Sequence, residues 1–251
     1  MTARRTILIT GASAGLGEQM ARDFAALGRD LALCARRTDR LERLREELLA
    51  AHPGITVAVR ALDVTDHDRV FEVFRAFRDD LGGRLDRVIV NAGLGKGQPI
   101  GTGRFDANLQ TVRVNLDAAL AQCEAAVEIF REQNAGHLVV VSSMSAMRGL
   151  PRNLTAYAAS KAGVAALAEG IRAELLRTPV KVTTLFPGFI ASEMSSRSEK
   201  APLTVSTEKG VRAMVRAVEA ERARAEVPAW PWVPIGFAMR HLPLRLVAKV
   251  M

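Results

Sequence analysis

The order of apolar and polar residues predicts short strands that alternate with longer helices along the whole chain. Leu41, Leu44 and Leu48, for example, recur with helical period. Seven apolar runs have the length of strands: Thr6–Thr10, Asp30–Ala35, Ile55–Leu62, Leu85–Val90, His137–Val141, Val180–Phe186 and Glu226–Trp230. These runs are continuously apolar, which is typical of parallel strands that are covered on both faces.

Six helices are expected between these strands. They cover the segment after the glycine-rich turn up to Leu27, then Arg37–Ala51, Asp66–Leu81 with Asp66 as N-cap, Phe105–Gln133, Thr155–Leu176 and Thr207–Ala223. This alternation predicts an α/β fold, a doubly wound Rossmann-type parallel sheet of about seven strands with helices on both faces. No linker or low-complexity run divides the chain, so we expect residues 1–251 to form a single domain.

The composition favours a reducing, cytoplasmic environment. Cys34 and Cys123 each lie in an apolar run and are far apart in the sequence, as expected of reduced core thiols. The short apolar run at the basic N-terminus enters a glycine-rich turn, so we interpret it as a strand and not as a signal peptide. No segment reaches about 18 uninterrupted apolar residues, and no membrane span is predicted.

The formal net charge of +8 does not by itself indicate nucleic-acid binding. Aromatic residues make up only 5% of the chain, and the arginines are spread along the predicted helices. This pattern favours a solvated surface that tolerates anionic ligands. The histidines (His52, His67, His137 and His241) are scattered, so we predict no metal site and expect them on the surface or in loops.

The first predicted strand runs into a glycine-rich turn. Gly11, Gly15 and Gly17 have the spacing G-x-x-x-G-x-G, which lets a backbone and a helix N-terminus approach a pyrophosphate. The letters GASAG also match the nucleophile elbow of hydrolases, with Ser13 as the nucleophile. An elbow on the first strand has no preceding loop to form an oxyanion hole, so the hydrolase is the weaker alternative.

The ends of the second and third strands bear on the choice of cofactor. Ala35 ends the second strand, and Arg36 and Arg37 follow it where an acidic residue would bind a ribose 2′-hydroxyl. Arginine pairs with a phosphate, so NADP is the better prediction. Asp63, at the end of the third strand, is a candidate acceptor for the adenine amino group.

Tyr157 is the only tyrosine of the chain, and Lys161 follows it by four residues. Residues at this spacing share one face of a helix. A lysine ammonium and an oxidised nicotinamide would favour the phenolate. Lowering the phenol pKa from about 10 to about 7 requires roughly 4 kcal/mol. Tyr157 would then exchange a proton with an alcohol or a carbonyl while a hydride moves.

Other polar residues are expected near this pair. Ser142 and Ser143 end the fifth strand, and the letters NAG place Asn91 and Gly93 at the end of the fourth. Ligands of doubly wound sheets bind at these carboxyl ends. Asn115 is polar among apolar helix neighbours. It is interpreted either as an anchor for a water that joins Lys161 to solvent or as an ordinary satisfied amide.

The motifs TGASAGLG, NAG and YAASK, in this order, resemble those of the short-chain dehydrogenase/reductase family, and the resemblance covers Thr6 to about Trp230. It implies a proton relay of Asn115, Ser143, Tyr157 and Lys161, with Lys161 also on the nicotinamide ribose. In the segment PGFIAS it implies contacts of Ile190 and Ser192 with the nicotinamide carboxamide. The cofactor-binding residues implied together are Gly11, Ser13, Gly15, Leu16, Gly17, Arg36, Arg37, Asp63, Val64, Asn91, Ala92, Gly93, Tyr157, Lys161, Pro187, Gly188, Ile190 and Ser192.

The chain departs from the family pattern in three ways. The family serine usually lies about thirteen residues before the tyrosine, whereas Ser143 lies fourteen before Tyr157 and Ser145 twelve. We favour Ser143, which directly ends the strand, and Ser145 stays open. Ala14 stands where many NADP-using members carry a basic residue, so specificity would rest on Arg36 with help from Arg37. Ser192 replaces the usual threonine and keeps its hydroxyl.

Two C-terminal segments carry separate expectations. By resemblance, residues 193–210 would cover the substrate. Residues 228–251 form an apolar, basic extension with both tryptophans and four prolines. Three interpretations of this extension stay open: an apolar lid over the substrate, an oligomer contact, and a surface that lies peripherally on a membrane.

The leading hypothesis is an NADP(H)-dependent oxidoreductase that transfers a hydride between nicotinamide and a carbonyl or secondary alcohol of a hydrophobic small molecule. Alanine-rich stretches in the helices that carry Asn115 and Tyr157 suggest a homodimer or homotetramer. The alternative is a non-catalytic NADP-binding or membrane-associated module of the same fold. No nucleic-acid partner is expected.

Overall fold

The computed structural model describes residues 4–191, 193 and 203–250, with side chains up to residue 247. Seven strands form one parallel sheet in the order β3-β2-β1-β4-β5-β6-β7. The strands are β1 (Thr6–Thr10), β2 (Asp30–Ala35), β3 (Val57–Ala61), β4 (Arg87–Val90), β5 (His137–Val141), β6 (Lys181–Pro187) and β7 (Arg224–Val227). The strand order turns back between β1 and β4, so the predicted doubly wound parallel sheet is confirmed.

Helices cover both faces of the sheet. They are α1 (Gly15–Ala26), α2 (Thr38–Ala51), α3 (His67–Asp80), α4 (Phe105–Val112), α5 (Ala118–Glu132), α6 (Thr155–Glu174), α7 (Thr207–Glu219), α8 (Ala229–His241) and α9 (Leu244–Val250). Asp66 caps α3 by accepting a hydrogen bond from the Arg69 amide at 3.2 Å, as predicted. A π-helical turn, Arg113–Asp117, separates α4 from α5 within the predicted long helix.

Two apolar clusters lie on opposite faces of the sheet. Ile7 and Ile9 of β1 belong to the cluster that includes residues of α1, α2 and α7. Leu8, between them, belongs to the cluster with residues of α3, α5 and α6. Successive side chains of a strand point to opposite faces, and both faces are dry here. This burial explains why the strands are continuously apolar in the sequence.

The C-terminal part differs from the prediction. The last strand ends at Val227 and not at Trp230, because Pro228 has no amide hydrogen to continue the ladder with β6. The chain then forms α8 and α9, two helices that the sequence pattern did not predict. Trp232 of α8 is only 4% exposed and packs with Met144, Met147 and Phe186.

A buried ionic network lies where β4, β5 and β6 begin. Arg87 of β4 is 1% exposed; it donates to His137 Nδ1 at 2.9 Å and forms an ion pair with Glu219 of α7. His137 Nε2 lies 2.8 Å from Thr183 Oγ1. The expectation that His137 lies on the surface or in a loop is therefore wrong. Burial and the charge of Arg87 lower the His137 pKa well below its usual value, so the ring is neutral.

Cys34 and Cys123 are both buried and unbridged, as predicted. Over the described ranges, every helix is too short or too polar to cross a membrane.

Candidate active site

The structure brings three of the predicted segments together at the carboxyl edge of the sheet. The turn of residues 11–17 follows β1, residues 91–93 follow the neighbouring β4, and Ser142 and Ser143 follow β5. Because these strands are parallel and adjacent, their final residues lie side by side.

Asn91 holds the glycine-rich turn against β4. Its side-chain amide donates to the Thr10 carbonyl at 2.9 Å. In return, Thr10 Oγ1 accepts the backbone amides of Asn91 and Ala92 at 3.0 and 3.1 Å. Thr10 was not among the residues singled out from the sequence, although its place at the end of β1 was a signal for it.

The turn itself is suited to an anionic group. Gly11 has φ +66°, and a Cβ on Gly17 would lie 2.4 Å from the Gly11 carbonyl oxygen, so a side chain at Gly17 cannot be accommodated. No side chain caps the first turn of α1, which leaves its backbone amides available to a ligand. Leu16 is partly buried against the core and Ser13 is 7% exposed.

Arginines from the end of β2 and from α2 surround this turn. Arg37 Nε donates to Ser13 Oγ at 3.3 Å, whereas Arg36 NH1 lies 4.0 Å from Asp63 Oδ2. Asp63 also accepts from the backbone amide and hydroxyl of Thr65, at 3.0 and 2.8 Å. Asp63 therefore accepts hydrogen bonds within its own loop and also lies close to Arg36.

A carboxylate from the segment after β6 reaches the same arginines. Glu193 accepts from Arg37 at 3.1 Å and from Arg40 at 2.5 Å. Both arginines lower the pKa of this exposed carboxyl, with Arg40 the larger influence. The two side chains thus form an anion-binding pair beside the glycine-rich turn. Arg40 and Glu193 were missed in the sequence, because their pairing joins positions 153 residues apart.

Tyr157 lies in the first turn of α6 and is half-buried. Burial raises the pKa of its phenol, and a hydrogen-bonding contribution from Ser143 offsets part of this rise. The phenolate was expected from Lys161 and an oxidised nicotinamide together, and the protein groups by themselves favour the protonated phenol. Burial penalises the phenolate more than the protein groups around it stabilise it.

Lys161 is 5% exposed, and its ammonium donates to the Val141 carbonyl at 2.8 Å. The Lys161 backbone carbonyl in turn accepts from Ser142 Oγ at 2.7 Å, which joins α6 to the end of β5. Burial lowers the pKa of Lys161 from 10.5 to about 8. Within the described part of the chain, no carboxylate pairs with this ammonium.

Asn115 is 1% exposed and lies in the π-helical turn between α4 and α5. Its side chain accepts from the Leu94 amide at 2.7 Å and donates to the Leu94 carbonyl at 2.9 Å and to Ser160 Oγ at 3.2 Å. A Cβ on Gly93 would lie 3.4 Å from Asn115 Oδ1 and 3.5 Å from Lys161 Nζ. Asn115 and Lys161 thus flank Gly93.

The two candidate serines have different surroundings. Ser143 contributes to the environment of the Tyr157 phenol, and its Oγ accepts from the Ser145 amide at 3.1 Å. Ser145 Oγ is buried and makes no hydrogen bond within the described residues. The hydrogen-bonding contribution to the pKa of Tyr157 comes from Ser143 and not from Ser145.

The remaining predicted residues lie around this edge. Val64 and Ile190 are 8% and 5% exposed, so their side chains belong to the core. Pro187 ends β6, and a Cβ on Gly188 would lie 2.0 Å from the Trp232 ring. Trp232, which the sequence did not assign to the site, therefore packs directly on Gly188. Ser192 lies outside the described residues. Residues 194–202 of the expected substrate-covering segment also lie outside them.

Comparisons with known proteins agree with this geometry. The family profile described as short chain dehydrogenase matches residues 5–203. An uncharacterized oxidoreductase of Mycobacterium tuberculosis is 53% identical over 246 residues, which cover 98% of this chain and 97% of the relative.

Two solved structures are similar in fold. A short chain dehydrogenase/reductase of Burkholderia phymatum in complex with NAD superposes with a TM-score of 0.86 at 21% identity, covering 98% of this chain and 95% of the other. An alcohol dehydrogenase of the archaeon Thermococcus sibiricus complexed with 5-hydroxy-NADP superposes with a TM-score of 0.78 at 27% identity, covering 88% of this chain and 94% of the other.

Proposed function

Because the chain belongs to the short-chain dehydrogenase/reductase family and is an alcohol/carbonyl oxidoreductase, we propose that NADP(H) is its cofactor and that Tyr157 is its proton donor and acceptor. The observation that carries the proposal is the grouping of Tyr157, Ser143 and Lys161 where β5 ends. A hydroxyl that exchanges a proton, a second hydroxyl and a buried cation are the groups that carbonyl reduction requires.

The residues present fit a nicotinamide dinucleotide. The uncapped amides of the first turn of α1 suit a pyrophosphate, and the pairing of Arg37 and Arg40 with a carboxylate supports an anion site beside it. When bound, the nicotinamide ring supplies or accepts the hydride.

Each polar residue of the site has a proposed role. Ser143 donates a hydrogen bond to the substrate oxygen and orients it. In carbonyl reduction Tyr157 gives its phenolic proton to that oxygen, and in alcohol oxidation it takes the proton back. Lys161 favours the phenolate left after proton transfer and binds the nicotinamide ribose hydroxyls. Asn115 fixes the Leu94 backbone beside Lys161 and supports a water-mediated path that returns the proton from solvent.

Tyr157→Phe tests this function. The variant keeps the ring but loses the proton, so we expect NADPH-dependent reduction of a panel of hydrophobic ketones to fall by about a thousandfold. Binding of NADPH, followed by its fluorescence, should be retained, which separates lost chemistry from lost folding. Undiminished turnover in this variant would contradict the proposed mechanism.

The choice of NADP rests on Arg36, with help from Arg37. The Burkholderia neighbour is in complex with NAD and the Thermococcus neighbour with 5-hydroxy-NADP, so both cofactors occur in this fold. Support for NADP comes from the two exposed arginines beside the turn and from the carboxylate that Arg37 binds. A 2′-phosphate is a stronger ligand for such a guanidinium than a neutral hydroxyl.

Arg36→Asp tests the cofactor choice. We expect NADPH binding to weaken by at least about tenfold, and NADH binding far less, since only NADPH carries the 2′-phosphate. Arg43→Asp, on the exposed side of α2, is the matched control and should leave the ratio of the two affinities unchanged. Equal losses for both cofactors in Arg36→Asp would contradict the phosphate contact.

We also propose a cytoplasmic homodimer or homotetramer that acts on hydrophobic small molecules and that contacts a membrane peripherally through residues 228–251. The support for assembly is a mostly apolar hollow on the helices that flank the site, lined by Val112, Leu116, Asp117, Leu120 and Leu167. Small and apolar helix faces permit close helix–helix contact. Light scattering of the purified protein tests the assembly.

A further inference from the structure

The C-terminal helices expose an unusual amount of apolar surface. Six large apolar side chains of α8, α9 and the loop between them are between 42% and 79% exposed, and Trp230 and Phe237 are the most exposed of them. We call this set the C-terminal apolar face; its members are Trp230, Val233, Phe237, Leu242, Leu244 and Leu246.

This face is distinct from the face that α8 uses in the fold. Trp232 and Gly236 are buried against Met144 and Met147, whereas Val233 and Phe237 point to solvent on the opposite side of the helix. The helix is therefore apolar on both sides. One side completes the core, and packing within the chain leaves the other side exposed to water.

Charge identifies the partner that this face fits. After Glu226 the sequence holds no Asp or Glu, but it holds Arg240, Arg245 and Lys249. Arg240 and Arg245 are exposed and form no ion pair within the described residues. Exposed aromatic and aliphatic side chains beside unpaired cations are the chemistry that binds an anionic lipid surface.

The face is held rigidly to the rest of the molecule. Arg148 donates to the carbonyls of Met239, Arg240 and Leu242 at 3.3, 3.2 and 2.7 Å. Arg148 lies five residues after Ser143 in the loop that follows β5. The face is thus fixed in place next to the candidate active site, and it needs no folding on binding.

We propose that the C-terminal apolar face docks on an anionic lipid bilayer, with Trp230, Val233 and Phe237 in the interfacial region and Arg240 and Arg245 at the lipid phosphates. A second copy of the chain fits less well. In a twofold interface the same patch meets itself, and Arg240 and Arg245 would then meet like charges in a segment that holds no carboxylate. This deepens the membrane contact proposed above but does not depend on the oxidoreductase activity.

Sedimentation with vesicles tests the docking. The full chain should sediment with vesicles of phosphatidylcholine and phosphatidylglycerol at low salt and should be released at high salt, since screening weakens the contact of the arginines with phosphates. Vesicles of phosphatidylcholine alone should bind it more weakly. No binding to the anionic vesicles would overturn the proposal.

Matched variants locate the contact. Trp230→Ser combined with Phe237→Ser should weaken vesicle binding by more than about tenfold, because two large apolar side chains no longer leave water on binding. Phe105→Ser combined with Leu176→Ser removes two side chains of similar exposure, 73% and 69%, elsewhere on the surface and should bind as the native chain does. Arg240→Glu should weaken binding to the anionic vesicles only.

Two results of the variant experiment would overturn the proposal. One is vesicle binding that is retained in the Trp230/Phe237 variant. The other is a native oligomer that this variant converts to a smaller species in light scattering, which would assign the face to a second copy. Because the substituted side chains are exposed, the variant should keep the native unfolding temperature, and NADPH binding reports independently on the cofactor site.

Discussion

A cation is buried next to β5 at each edge of the sheet: Arg87 at the amino edge, where the strands begin, and Lys161 at the carboxyl edge, where they end. The two cations differ in whether a counter-charge lies beside them. At the amino edge Arg87 is paired with Glu219 and hydrogen-bonded to His137. At the carboxyl edge the ammonium of Lys161 donates to the Val141 carbonyl and pairs with no carboxylate of the described residues. Burying a charge without a counter-charge costs stability. A cation that the fold leaves unpaired is available to a ligand or a reacting group, whereas a paired cation holds elements together.

The pKa values of the charged groups at the two edges reflect their burial and their pairing. Burial alone would raise the pKa of Glu219, but hydrogen bonding and the charge of Arg87 outweigh it, and the pKa is lowered. Burial lowers the pKa of Lys161 to about 8 and meets no opposing charge. Burial lowers the pKa of Arg87 as well, but there the hydrogen bond and charge of Glu219 oppose it, whereas no such contribution opposes the burial of Lys161.

The largest effect on stability is expected from Glu219→Gln. The change breaks the ion pairs of Glu219 with Arg87 and Arg29 and leaves the guanidinium of Arg87 buried without its counter-charge. The free energy of unfolding should therefore fall by about 3 kcal/mol. Urea unfolding measures it. Glu128→Gln, which breaks the exposed pair with Arg75, is the control and should cost less than about 1 kcal/mol.

Two observations would contradict the proposed difference between the amino edge and the carboxyl edge. A loss as small as that of the Glu128 control would mean that the amino-edge pair contributes no more than a surface ion pair. A loss of turnover in Glu219→Gln under conditions where it is folded would mean that the two edges are functionally coupled.

A smaller and pH-dependent effect is expected from Lys161→Met. The folded pKa of about 8 lies below the ordinary 10.5, so the unfolded chain binds more protons between these values and the stability of the native protein rises with pH there. The variant should therefore be more stable than the native protein by up to about 3 kcal/mol below pH 8, less the lost hydrogen bond.

The advantage of Lys161→Met should fade as the pH approaches 10.5, and its turnover should be lost at every pH. Urea unfolding at several pH values measures the stability. A variant that is less stable than the native protein near neutral pH, by as much as Glu219→Gln, would show that Lys161 is a structural cation like Arg87.

The smallest effect on stability distinguishes the two serines of the carboxyl edge. Ser145→Ala removes a buried hydroxyl that has no hydrogen-bond partner among the described residues, so it should stabilise the protein by about 1 kcal/mol and leave turnover intact. Ser143→Ala should instead lower kcat, because Ser143 lies next to the phenol. Reversed effects on kcat would assign Ser145 to the substrate.

The sheet was predictable from the sequence because its central parallel strands are buried and mostly apolar. The bounds of β1, β2 and β5 agree residue by residue with the prediction. The position of the site was also predictable, since residues that end neighbouring parallel strands must meet. The interruption of the long helix at Asn115 could not be predicted, because the residues around Asn115 keep an ordinary helical pattern.

The electrostatics of the site could not be predicted from spacing. The spacing of four positions from Tyr157 to Lys161 places both side chains on one helix face. It does not show that the ammonium donates to the Val141 carbonyl or that burial raises the phenol pKa. The pair of Arg87 and Glu219 spans 132 positions in the chain. Such contacts follow from the tertiary fold alone.

The place of Trp232 against Gly188 has a consequence for where this domain ends. A chain cut before α8 would leave a hollow beside Met144, Met147 and Phe186, and losing a buried tryptophan costs about 3–5 kcal/mol. The same cut would leave the guanidinium of Arg148 without the three carbonyl groups that accept its hydrogen bonds. The last two helices therefore stabilise the loop that follows β5 and carries Ser143, and shortened versions of the protein should retain them.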